Sequence, residues 1–294
     1  MAKSGTTTRN VEKALTMFQG INGKDATLAI TYLNPNSFAN HNHRAYEGVQ
    51  GVQGFISHLP PQSSAKVVRA FQDGPYVFTH SEGDVFGRKV FFDIFRFEDG
   101  LIVEHWDNIS DQSSSNAGGH TQIDGPTEAS DQNQTEKNKA LVRDFYEKVF
   151  LEGKFESMPQ FFDGDKFIRH DSRGGDGLSA LGALMQEQAQ KGAVMHVSKI
   201  EMILGEGNFV LVAASGSIAG GPVAYYDLFR VQDGKIAEHW NVIEDVPPAD
   251  QWKNKNGKFK TRQRGEHGSP LSLLGQRNSH NLQTAVHRGD DEHE

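Results

Sequence analysis

The 294-residue chain is 36% hydrophobic, 10% aromatic and 23% charged, and carries a net charge of −8. That length is about two domains' worth, and the acidic balance disfavours a nucleic-acid partner or a polybasic membrane contact. With no cysteine, disulfides, thiolate nucleophiles and Cys-ligated metal centres are excluded.

In chain order, the first residues lack the apolar core of a signal peptide, and no apolar run approaches the roughly 18–20 residues that span a bilayer. The expected compartment is therefore the cytoplasm. Helical spacing begins near residues 11–19 and returns over 49–58. Strands follow at 66–72, 76–85, 88–97 and 101–109, punctuated by turn residues. Residues 111–137 are rich in Ser, Gly, Asn, Gln and Thr, with no Phe, Trp or Tyr. Such a segment cannot bury enough surface to order itself, and reads as a linker laid in part across a domain surface. Helices are expected again over 138–151, with Thr135 as N-cap, over 155–162 and over 178–191. Strands at 194–204, 209–218, 223–231 and 235–246 complete the pattern. Asp233-Gly234 between the last two is the strongest hairpin signal, because a type I′ turn needs positive φ. Residues 251–294 hold eight Lys/Arg against five Asp/Glu and read either as a segment whose densest apolar patch, Leu271, Leu273 and Leu274, docks as a short helix, or as a mobile tail.

The chain repeats itself. Phe92-Asp-Ile-Phe-Arg-Phe-Glu-Asp-Gly-Leu-Ile-Val-Glu-His-Trp-Asp-Asn-Ile109 aligns with Tyr226-Asp-Leu-Phe-Arg-Val-Gln-Asp-Gly-Lys-Ile-Ala-Glu-His-Trp-Asn-Val-Ile243, identical at ten of eighteen positions. Upstream, Phe38-Ala-Asn-His41 echoes Phe167-Ile-Arg-His170, and Gly48 echoes Gly177. Each copy is domain-sized, which implies duplication of a whole fold. Helices followed by an antiparallel meander, twice over, give an α+β class.

Side chains alternate across a strand, so Asp93 shares a face with Phe91 and Phe95, and Asp227 shares one with Phe229. A carboxylate among aromatics either lines a water-poor cavity, where its pKa rises into the range of a general acid or base, or forms a buried structural pair. His105 and Asp107 share a face of the last strand of copy one. Copy two has His239 and Asn241 there, one charge fewer. An imidazole beside a carboxylate suits a general base with an orienting partner, although a strand histidine is more often structural. His41, in Asn40-His41-Asn42-His43, matches His170. No His-Glu-x-x-His spacing supports a metal, and no Gly-rich phosphate loop or nucleophile elbow is present. Neither metal nor cofactor is expected.

The Asp-Ile/Leu-Phe-Arg and Glu-His-Trp-Asp/Asn segments, preceded by a His-bearing turn and a helix, resemble the SnoaL-like branch of the nuclear transport factor 2-like superfamily, in tandem. The resemblance implies two cones, each a strongly curved antiparallel sheet around an apolar pocket closed by about three helices. Relatives include polyketide cyclases, ketosteroid isomerase, scytalone dehydratase and limonene epoxide hydrolase, typically cofactor-free with a pocket Asp or His. Carried over, the catalytic candidates are His41, Asp93, His105 and Asp107 in copy one, and His170, Asp227 and His239 in copy two. Phe91, Phe95, Trp106, Phe229, Trp240 and Asn241 would contact substrate. The branch often has Gln-His-Asn-Pro at the turn; here Arg169 precedes His170, which suits an anion. The expected layout is cone 1 over 1–110, linker over 111–137, cone 2 over 138–248 and tail over 249–294. The two cones should pack sheet to sheet as an intramolecular pseudo-dimer, with further homo-oligomerisation open. The expected activity is acid/base chemistry on a small, mostly apolar carbonyl compound by aldol/cyclisation, isomerisation or dehydration. A non-catalytic small-molecule binder and an epoxide-type hydrolase are the alternatives.

Overall fold

The computed structural model describes Arg9–Thr261; Leu271, Leu273 and Leu274 lie outside the described residues. Copy one opens with α1 (Asn10–Gly23), the short α2 (Ala26–Ala29), β1 (Ala39–Asn40) and α3 (Gly48–Ser57). Strands β2 (Ser64–Asp73), β3 (Tyr76–Asp84), β4 (Arg88–Glu98) and β5 (Leu101–Asp111) follow. Copy two has α4 (Thr135–Phe145), a wide π-turn over Tyr146–Leu151, a 3-10 stretch over Phe155–Phe161, β6 (Ile168–Arg169) and α5 (Gly177–Gln190). It closes with β7 (Met195–Glu206), β8 (Phe209–Ile218), β9 (Gly221–Gln232) and β10 (Lys235–Asp245).

The fold is α+β: two five-stranded sheets ordered β1-β5-β4-β3-β2 and β6-β10-β9-β8-β7, each with its own helices. The meanders are antiparallel as expected, but each sheet is mixed, because the two-residue β1 and β6 run parallel to β5 and β10. These short strands carry the His-bearing turns, and a two-residue strand leaves no alternation long enough to read in sequence. Thr135 is not the cap of α4; Gln134 is. The Thr135 hydroxyl instead donates to the Gln132 carbonyl and accepts from Gly207 N–H, tying the helix start to a β-turn. Asp233 and Gly234 take φ of 51° and 72°, the conformation their hairpin requires.

Each sheet has two faces with different partners. On the inner face of sheet one, Val77, Phe91, Phe95 and Phe97 pack with Ala14, Met17 and Phe18 of α1 and Val49, Val52 and Ile56 of α3. On the inner face of sheet two, Val210, Val212, Tyr225 and Phe229 pack with Val142, Phe145 and Tyr146. The outer faces share a third core, in which Phe78, Phe92, Ile94 and Trp106 meet Leu211, Tyr226, Leu228 and Trp240. Asn108 crosses it, its amide donating to the carbonyls of Ala224 and Val242 at 2.8 and 2.9 Å.

The low-hydrophobicity segments are held by polar contacts. Residues 112–131 contain neither helix nor strand, yet Asn116 donates to the carbonyls of Arg169 and Asp171. Arg69 of β2 donates to the carbonyls of Ile123, Asp124 and Pro126 while stacking 4.5 Å from the Trp240 ring. The chain beyond β10, read in sequence as the start of a mobile tail, is likewise held. Asn254 donates to the carbonyls of Asn42 and Ala45, and Asn256 to that of Asn40. The contacts are reciprocal: the segment after β5 laps the His170 turn, and the segment after β10 laps the His41 turn.

Candidate functional site

The inner face of sheet one brings Asp93, His105 and Asp107 together. Asp93 and Asp107 are cross-strand partners, and His105 Nε2 donates to Asp93 Oδ1 at 2.9 Å. The His105 ring stacks on Phe95 with centroids 4.8 Å apart. Thr79, opposite Asp93 on β3, reaches Oδ2 at only 3.5 Å. Asn40 and Asn42 extend the cluster: Asn40 Oδ1 lies 3.4 Å from His105 Nδ1, and the Asn42 amide donates to Asp107 Oδ2 at 2.7 Å. Asp107 Oδ1 is buried with no hydrogen-bond partner among the described residues. Asp93 and His105 are buried, each only 7% exposed.

Burial pushes the Asp93 carboxyl above its usual range, opposed by the His105 hydrogen bond. Burial pushes His105 down, but the Asp93 hydrogen bond and the charges of Asp107 and Asp93 outweigh it, and its pKa is raised. The two shifts run in the same direction, and groups in such direct contact titrate as a pair.

Sheet two repeats the pair with different support. His239 Nε2 donates to Asp227 Oδ1 at 2.7 Å, and the Tyr146 hydroxyl, from the π-turn, donates to Oδ2. Both oxygens of Asp227 are therefore engaged. Burial, then the Asp227 charge, raise the Tyr146 pKa well above 10. Asn241 lies opposite Asp227 in the register where sheet one has Asp107. Arg169, in register with His239, takes the place of Asn40 and pairs with Asp171. It is 4% exposed, and its Nε and Nη1 have no hydrogen-bond partner among the described residues.

His41, His170, Trp106 and Trp240 do not join these clusters. His41 stacks on Trp106 at 4.6 Å, with Nε2 on Glu104 and Nδ1 on the Gly257 carbonyl. His170 stacks on Trp240 at 4.5 Å, with Nε2 on Glu238. The expectation of substrate contact for the tryptophans and acid/base work for these histidines is corrected by strand parity. Trp106 and Trp240 alternate with His105 and His239, so they face the shared core. His41 and His170 follow them because β1 and β6 run in register with β5 and β10. Arg96 and Arg230 pair with Glu104 and Glu238 rather than with Asp93 or Asp227. Phe91, Phe95 and Phe229 lie on the inner faces as expected.

Asn40, Asn42 and Tyr146 were not anticipated. The two-residue β1 is too short for alternation to mark the two asparagines, and Tyr146 lies at the start of the π-turn that follows α4. Two surface hollows, of about 400 Å³ beside Arg88 and Gln112 and about 460 Å³ beside Arg9 and Gln72, contain none of these residues. Among the described residues no helix is long and apolar enough to cross a membrane.

No family model matches the chain, and no curated protein matches it. Solved structures similar to it include a putative ketosteroid isomerase from Kribbella flavida, 14% identical, covering 46% of this chain and 95% of its own, with TM-score 0.33. An NTF2-like protein of unknown function from Cytophaga hutchinsonii is 16% identical over 36% of this chain and 93% of its own, with TM-score 0.32. An LEH-like epoxide hydrolase from M. tuberculosis is 14% identical over 34% of this chain and 82% of its own, with TM-score 0.30.

Proposed function

We propose that cone 1 carries a cofactor-independent acid/base centre for a small, mostly apolar carbonyl compound, in aldol/cyclisation, isomerisation or dehydration chemistry. The observation that carries this reading is the buried His105–Asp93 pair, stacked on Phe95 and flanked by Asp107. Asp93 Oδ1 is fixed by His105, while Oδ2 keeps only the long contact to Thr79 and is the oxygen free to accept a proton. Desolvation strengthens the carboxylate as a base toward a proton on carbon next to a carbonyl. His105 holds the carboxylate in place, and Asp93 returns the proton to another atom of the substrate. Phe91 and Phe95 supply the apolar wall.

A second reading applies to cone 2, where Tyr146 and His239 occupy both oxygens of Asp227 and leave no acceptor for proton abstraction. The buried Arg169, with two unpartnered donors, suits a ligand bearing a carboxylate or polarised carbonyl, bound without turnover. The test is solvent-deuterium incorporation into a panel of small cyclic ketones and 1,3-diketones, followed by NMR. Asp93→Asn should lower exchange of any active compound by about 10²–10⁴-fold, the usual worth of a general base. Exchange left unchanged by both Asp93→Asn and His105→Ala would remove the proposal.

A further inference from the structure

The linker brings a second group of potential ligands to cone 2, separate from the pairs inside the cones. His120 and Asp124, four residues apart on the segment after β5, converge on His170, and one donor atom from each lies within 4.8 Å of the others. Asp124 Oδ1 is 2.5 Å from His170 Nδ1, and Asp124 Oδ2 is 3.7 Å from His120 Nδ1. The far nitrogen of each ring is already held by a different carboxylate. His170 Nε2 bonds Glu238 at 2.8 Å, and His120 Nε2 bonds Asp176 at 3.1 Å. A carboxylate behind the imidazole is the usual support of a metal-bound histidine, since it fixes the ring and makes the opposite nitrogen a better donor. The rings meet edge to face with centroids 5.1 Å apart, so both Nδ1 atoms can address one point beside Asp124. In cone 1 the corresponding His41 has the same Glu104 support, but its Nδ1 meets the Gly257 carbonyl.

We propose that His120, Asp124 and His170 form a zinc site that fastens the linker to cone 2. Two imidazoles and a carboxylate are a borderline N/O donor set that Zn²⁺ favours, with a fourth position left for water. Tetrahedral zinc at ordinary bond lengths sets its donors about 3.3 Å apart. His120 and Asp124 are both partly exposed, which leaves their side chains room to turn toward that spacing. His170 Nδ1 now faces two acceptors, Asp124 and the Thr121 carbonyl at 3.0 Å. The site rests on none of the residues assigned to acid/base chemistry, and its fate is independent of that reading.

The test uses the untagged full chain, stripped with chelator, desalted and titrated with ZnCl₂ by calorimetry. One tight equivalent per chain is expected, with a rise in melting temperature and, with Co²⁺, the visible bands of four-coordinate cobalt. His120→Ala should weaken it by at least about 100-fold, more than loss of a supporting residue costs. Asp124→Asn, which keeps the side chain's shape, should do the same, while Asp93→Asn leaves it intact. The histidines of the tail (His267, His280, His287 and His293) remain in every variant. An equivalent that survives His120→Ala therefore lies elsewhere and overturns the proposal. So does loss of zinc in Asp93→Asn, which would place the metal inside cone 1, or the absence of tight binding by the wild type.

Discussion

At the residue scale, one hydrogen bond decides the character of the cone 1 centre. Burial and the charge of Lys258 lower the His105 pKa, and the Asp93 hydrogen bond with the charges of Asp107 and Asp93 turns the net shift upward. We therefore expect the His105 pKa to fall in Asp93→Asn relative to wild type, read from histidine side-chain NMR signals against pH. Other buried histidines work in the opposite direction. Burial, then the charges of Lys258 and Arg44, hold His43 at about 4, and His80 is pushed well below 6.5 by burial and by Arg69. A depressed folded pKa means that protons favour the unfolded chain, so stability present above pH 6.5 is lost as pH falls toward about 4. Melting temperature should drop across that window, and His43→Gln should flatten the drop. Strand parity made His105 and Asp107 legible on one face of the last strand, and the family resemblance joined Asp93 to them. The same parity puts Trp106 opposite, although the resemblance implied that it contacts substrate. Asn40 and Asn42 were hidden by the brevity of β1, and Tyr146 by the change of helical pitch.

At the element scale, the two lapping segments show where polar contacts order a chain that hydrophobicity leaves free. Each segment sets few apolar side chains, Ile123 and Ala129 in one and Phe259 in the other, against the shared core, and no sequence periodicity marks where it will lie. Their anchors are backbone carbonyls reached by asparagine and arginine side chains, which a sequence does not pair. Gly125 makes one close approach possible: its φ is +89°, and a Cβ there would sit 2.6 Å from Glu238 Oε1 and 2.8 Å from the Trp240 ring. Gly125→Ala should cost about 1–3 kcal/mol, the range for a strained backbone position, measured by urea unfolding. Limited proteolysis should then cut within residues 112–131 faster than in wild type. The meander strands, by contrast, were legible to within a few residues, since turn glycines and alternation both fix them.

At the scale of the molecule, the two five-stranded α+β units have different interiors. The outer faces share one core through Phe92, Trp106, Leu211 and Trp240, and the inner faces hold the two His–Asp pairs. A common core couples the cones, so calorimetry should show a single unfolding transition for both. Trp106→Ala should lower stability by about 3–5 kcal/mol, as for other buried aromatic truncations. The interiors diverge at three positions: Asp107 against Asn241, Asn40 against Arg169, and the long Thr79 contact against the Tyr146 hydroxyl. Cone 1 thereby keeps a carboxylate oxygen available, and cone 2 does not. That asymmetry makes the central claim testable with two matched variants. For a ketone that the wild-type chain exchanges with solvent deuterium, Asp93→Asn should abolish most of the exchange, while Asp227→Asn leaves it within a few-fold. Equal losses in the two variants, or loss only in Asp227→Asn, would contradict the assignment of the acid/base centre to cone 1.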